Sequence, residues 1–227
     1  MAAASSAQPP VRAYPPPPAS EPVWPVQGTL LAAILLQFTL PERLTAGPTW
    51  VVPTFEGVLL VGLAIASPKE LEGEHPKRRG LALGLVALAS AANVFSLWEL
   101  IHHLLHSKQV AHGRELIIAG MLIWLTNFLL FALWYWELDR GGPGKRAEGR
   151  DGAPDFLFPQ MQDDRIEPLD WRPKFIDYVY VSLTNATAFS PTDTMPLTPM
   201  AKSVMGVQSL VSLVTLGLVI SRAVNIL

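Results

Sequence analysis

The chain contains no cysteine. That absence removes disulfides, thiolate metal sites, iron–sulfur clusters and a cysteine nucleophile together. Positive charge is also scarce: the net charge is −2, so no basic field points to nucleic acid as a partner. No Lys/Arg cluster near the start leads straight into an apolar block, so a signal peptide is not expected. No nucleophile, base and orienting group stand together as a set, so an enzyme reading has only a Glu/His stripe, Glu99 to His106, for support.

What the chain has is apolar sequence. Half of the residues are hydrophobic and the mean hydropathy is +0.30. Uncharged runs recur near the roughly 20 residues that cross a bilayer as a helix. The expected fold is all-α: a polytopic transmembrane bundle of about five spans plus one short re-entrant, pore-helix-like segment. Residues 1–26, with PPPP at Pro15 to Pro18, read as a disordered Pro/Ala-rich tail, open to a protein partner. Residues 27–139 hold the first four spans, 140–173 a polar loop, and 174–227 the re-entrant helix, a polar turn and the last span.

Span one is expected over about Val26 to Leu44 and span two over Trp50 to Ser67, with Pro53 tolerated in its first turn. Glu56 lies about two turns inside span two. An acid at that depth is costly and turns toward the bundle interior, either hydrogen-bonded there or serving an ion or proton. Span three is expected over Gly80 to about Leu105. Gly80, Gly84, Ala87 and Ala91 give it a stripe of small residues on which a neighbouring helix can sit closely.

The end of span three reads WELIHHLLH. Glu99, His102, His103 and His106 share one helical stripe. Carboxylate and imidazole at that spacing can share a divalent transition metal, or can simply pair with one another at the membrane interface. Span four is expected from about Glu115 to Leu133, followed by an aromatic belt at Trp134, Tyr135 and Trp136.

The final block is the most informative. Phe175 to Ser190 would be about 24 Å long as a helix, short of the hydrocarbon core, and its second half is polar. Pro191 and Pro196 bracket the turn that follows. Thr198 suits a helix N-cap with Pro199 in the first helical position. Backbone that re-enters a membrane must be sheltered by protein or by a wet cavity. The residues expected there are Thr184, Asn185, Thr187, Ser190, Thr192 and Asp193.

Lys69, Lys77, Arg78 and Arg79 sit in one loop, and Arg140, Lys145, Arg146, Arg150, Arg165, Arg172 and Lys174 in another. The opposite side has Arg43, Lys108 and Arg114. The charge rule therefore puts the N-terminus and both rich loops in the cytoplasm.

From Phe131 the sequence runs FALWYWELDRGGP, then FLFPQ, then DYVYVSLTNATAFSPTDTMPLT. This layout resembles an uncharacterised bacterial inner-membrane family, a domain of unknown function, over about the last hundred residues. More distantly, Tyr180 to Thr184, Thr187, Asp193, Pro196 and Thr198 resemble the pore region of two-helix potassium-type channels. Phe189 and Pro191 stand where that filter has glycines, and proline fixes φ. The resemblance therefore implies a pore-loop architecture without a potassium-selective filter.

Three functions follow as expectations. The first is a channel-like or transport protein with a degenerate pore loop, in the bilayer as a homo-oligomer. The second is a metal-binding membrane protein using the Glu/His stripe. The third is a non-catalytic accessory subunit, in which the polar turn is a hydrogen-bonded knot and the tail recruits a partner.

Overall fold

The structure is a computed structural model that describes residues 22–66, 76–106, 113–148, 152–162, 171–187 and 193–224. The expectations for the first 21 residues, for most of the loop at 68–79, and for Ser190 and Thr192 fall outside these. The fold is all-α. Its helices are α1 (Trp24–Phe38), α2 (Val51–Ala66), α3 (Pro76–His106), α4 (Gly113–Leu138), the short α5 (Pro143–Glu148), α6 (Phe175–Thr187) and α7 (Pro199–Val224). The strands β1 (Phe156–Leu157) and β2 (Met195–Pro196) form one antiparallel ribbon.

Among the described residues, three helices are long and apolar enough to cross a membrane: α3, α4 and α7. Helices α1 and α2 are apolar but shorter, with 15 and 16 residues. At 1.5 Å per residue they reach about 22–24 Å, against about 30 Å of hydrocarbon. Large apolar side chains point outward along several helices: Phe55, Val58, Val61 and Ile65 on α2, Trp98 on α3, and Leu210, Leu213 and Ile220 on α7. In water such a surface would drive association, whereas lipid solvates it without cost.

Helix α4 is the axis, packing on α1, α3, α6 and α7. Its residues enter all three apolar clusters. Phe131, Tyr135 and Trp136 join Phe156, Tyr178 and Met205 at one end. Leu130 and Leu133 join Ile34, Leu60 and Leu85 in the middle. Leu116, Ala119 and Ile123 join Leu44, Leu97 and Leu100 at the other end.

The small-residue stripe on α3 does something different from the expectation. Gly80 and Gly84 have nothing within 4 Å of an added Cβ, and Ala87 and Ala91 are exposed. The buried face is Leu85, Val86, Ala89 and Asn93 instead, so larger residues fill the contact with α4 and the small stripe looks outward.

The close approach occurs at Gly120 on α4. A Cβ there would lie 2.5 Å from Val219 Cγ2 on α7. Valine has little rotamer freedom in a helix, so it cannot swing aside. Gly120→Ala is expected to destabilise the protein by about 1–3 kcal/mol, the usual range for overpacking. Adding Val219→Ala should recover most of the loss in detergent unfolding; an unchanged transition in Gly120→Ala would refute the contact.

Candidate functional site

The described polar residues of the last block converge on α4. At the C-terminal end of α4 the chain stops in a 3-10 turn, Asp139–Gly141, where Arg140 takes φ 54°, Gly141 φ 79° and Gly142 φ 98°. A left-handed Arg costs on the order of 1–2 kcal/mol. It is held because Arg140 N–H donates to Asp155 Oδ2 at 2.9 Å.

Asp139 is fully buried and acts as the hub of this end. Its Oδ2 accepts from the Tyr178 hydroxyl at 2.6 Å, and its Oδ1 from Asp155 N–H at 2.9 Å and Phe156 N–H at 3.4 Å. The Arg146 guanidinium donates to the Trp136 and Asp139 carbonyls, both at 2.8 Å. It lies 5.5 Å from the Trp136 ring centre and 5.7 Å from that of Tyr178, within cation–π range.

Asp155 carries the link onward. Its Oδ1 accepts from the Thr198 hydroxyl at 2.6 Å, and its carbonyl from Leu197 N–H at 2.8 Å. Thr198 Oγ1 also accepts from Ala201 N–H at 3.2 Å, so Thr198 caps α7 as its sequence suggests. The pairings Phe156↔Pro196 and Leu157↔Met195 fix β2 at the Asp139 end.

Helix α6 starts at that same end and runs antiparallel to α4. Tyr178 meets Asp139, Ser182 Oγ donates to the Phe128 carbonyl at 2.6 Å, and Trp124 Nε1 donates to the Ala186 carbonyl at 3.2 Å. The last turn of α6 therefore lies level with the middle of α4. The chain is back at the Asp139 end by β2.

A second network ties α6 to α7 within the bundle. The Gln208 side chain is fully buried; its Nε2 donates to Ser182 O at 2.9 Å and Ser182 Oγ at 2.7 Å. Its Oε1 accepts from Asn185 Nδ2 at 2.8 Å and from the Tyr135 hydroxyl. Asn185 Nδ2 also reaches the Met205 carbonyl at 3.0 Å, and Asn185 Oδ1 accepts from Ser209 at 2.9 Å. One turn further, Asn127 Nδ2 donates to Ser212 Oγ at 2.9 Å.

No protein-family model, curated protein or solved structure matches the chain.

The expected pore-turn residues divide. Asn185 is locked into the α6–α7 network. Thr184 and Thr187 return their hydroxyls to carbonyls of α6 itself, Tyr180, Val181, Leu183 and Thr184. Asp193 is exposed at the Asp139 end. Of the Glu/His stripe, His103 Nε2 lies 3.2 Å from the Arg43 carbonyl and His106 Nδ1 3.0 Å from the His102 carbonyl. The His102 and His106 rings stack at 4.4 Å. No group of three or more His, Asp or Glu among the described residues is gathered to hold a metal ion.

Sequence reading missed Asp139, Asp155, Arg146, Tyr135 and Gln208 as a set. A signal was present in an acid–base pair followed by Gly-Gly-Pro at a helix end, where glycines permit the backbone to fold back on side chains. Glu56 is fully buried between α1 and α3, with Gln37 as its polar neighbour.

Proposed function

We propose that the chain is a multi-pass protein of the bacterial inner membrane, of channel-like or transport type. Five spans surround one re-entrant helix, α6, the N-terminus is cytoplasmic, and the unit works as a homo-oligomer. The observation that carries this reading is the depth of α6. It has 13 residues, about 20 Å at 1.5 Å per residue, ends level with mid-α4, and the chain returns to the end it left. A half-helix aims its C-terminal carbonyls at the membrane centre, where they favour a cation. The likeness to potassium-type pore regions and to the uncharacterised inner-membrane family belongs to the same reading.

Purified protein in liposomes is expected to pass a small monovalent cation. Thr187→Ala and Asp193→Ala should each lower the rate several-fold, because both residues border the segment 188–192 on which the pore reading rests. Absence of flux for every small ion tried would end this reading.

An accessory, non-catalytic role is the second reading. It is favoured by the way Thr184, Asn185 and Thr187 close their hydrogen bonds within the protein. Such a subunit conducts nothing and is retained by a partner that loses its grip when residues 1–21 are deleted, a cut that spares α1.

A further inference from the structure

The strongest feature outside the α6–α7 block is a buried acid without a charged partner. Glu56 is fully buried in α2, and no charged group among the described residues pairs with it. Gln37 of α1 is the polar side chain beside it, itself buried, and its amide is the neutral group that faces the carboxyl. On α3, Asn93 gives its Nδ2 to the Ile123 carbonyl at 3.3 Å and leaves a buried Oδ1 without a donor. Ser96, one turn on, is buried as well.

No described cation neutralises this acid. Helix α1 carries no charged residue. On the turn between α1 and α2, Glu42 is exposed and Arg43 is paired with Glu115. On α3 the titratable groups beyond Ser96 are Glu99, His102, His103 and His106, and no ion pair among the described residues includes Glu56. An isolated carboxylate in such surroundings costs several kcal/mol, whereas the carboxylic acid is neutral and can both donate and accept.

A cleft reaches toward the acid from the turn between α1 and α2. It is lined by Gln37, Thr45, Thr49, Val52, Pro53 and Ser96. Val52 and Pro53 precede Glu56 by four and three residues, so they share its helical face and the cleft ends one turn above the carboxyl. Gln37 belongs to both the cleft lining and the surroundings of Glu56.

We propose that Glu56 is a proton-binding site within the bundle, loaded and unloaded through this cleft from the membrane face on which residues 45–49 lie. The proposal does not rest on what α6 does. An intramembrane acid that exchanges its proton with one face is the element on which proton coupling, or sensing of that face's pH, is built.

The test uses the full chain in liposomes and dicyclohexylcarbodiimide, an apolar reagent that modifies protonated carboxyls. The acid's proton moves to a carbodiimide nitrogen while the carboxylate adds to the central carbon, and the adduct rearranges to a stable acylurea. Mass spectrometry of peptides then reads the adduct on Glu56, with Glu56→Gln as the blank. The chain has no native cysteine, so Thr49→Cys with an impermeant maleimide reports which face carries the turn.

Labelling of Glu56 is expected, and it should fall as the pH rises, because the reagent needs the protonated carboxyl. With the other compartment buffered, it should follow the pH of the Thr49 face. An absent adduct, labelling indifferent to pH, labelling that follows the opposite face, or protection by Na⁺ at fixed pH each overturns the proposal. Because the adduct is read whether or not ions cross, its outcome is separate from that of the flux assay.

Discussion

Asp139→Ala is expected to cost about 3–5 kcal/mol, enough to lower the yield of folded protein sharply. The carboxylate takes the Tyr178 hydroxyl and two backbone N–H groups, and its removal strands all three donors in a buried site. It also frees the β1 segment, and with it the Asp155 bridge to the cap of α7. Tyr178→Phe removes a single bond and should cost about 1–2 kcal/mol. Unfolding in detergent micelles would measure both. An Asp139→Ala protein within about 1 kcal/mol of the parent would show that the three donors find other partners and that the hub is incidental.

The second large effect is expected at Gln208. Gln208→Leu keeps the side-chain volume but removes both acceptance from Tyr135 and Asn185 and donation to Ser182. Interhelical bonds in membrane proteins are worth about 0.6–1.7 kcal/mol each, so the combined loss should be about 2–4 kcal/mol. Asn185→Leu removes part of the same set. The two substitutions together should therefore cost less than their sum, with a coupling of about 1–2 kcal/mol. Strict additivity in a double-mutant cycle would mean that the network does not act as one unit. Flux on the proposed reading should respond to Gln208→Leu as well, since this anchor packs α6 on α7.

The sequence makes the apolar helices legible because a helix in lipid must be long and uncharged, and composition alone carries that. It also makes α6 legible as a short helix, since polar residues fill its second half. Thr198 reads as a cap because its neighbours are proline and then apolar sequence. The Asp139 hub does not read this way. Its partners come from Phe156 and Tyr178, 17 and 39 residues away. A two-residue strand such as Phe156–Leu157 has no periodicity to detect. The direction of the α3 stripe was equally hidden, because small residues mark a surface that allows close approach without saying whether a neighbour is there. Glu56 was conspicuous as an acid in an apolar run, while the company of Gln37 and the cleft needed the packing of three helices.

The pairing of α6 with Gln208 fixes an order of events during synthesis. Ser182 and Asn185 leave the ribosome before the helix that completes their hydrogen bonds exists. Until α7 arrives, these polar side chains lack their partners on Gln208 and Ser209. Truncation before Gln208 should therefore leave the α6 segment accessible to protease, a maturation step that α7 completes.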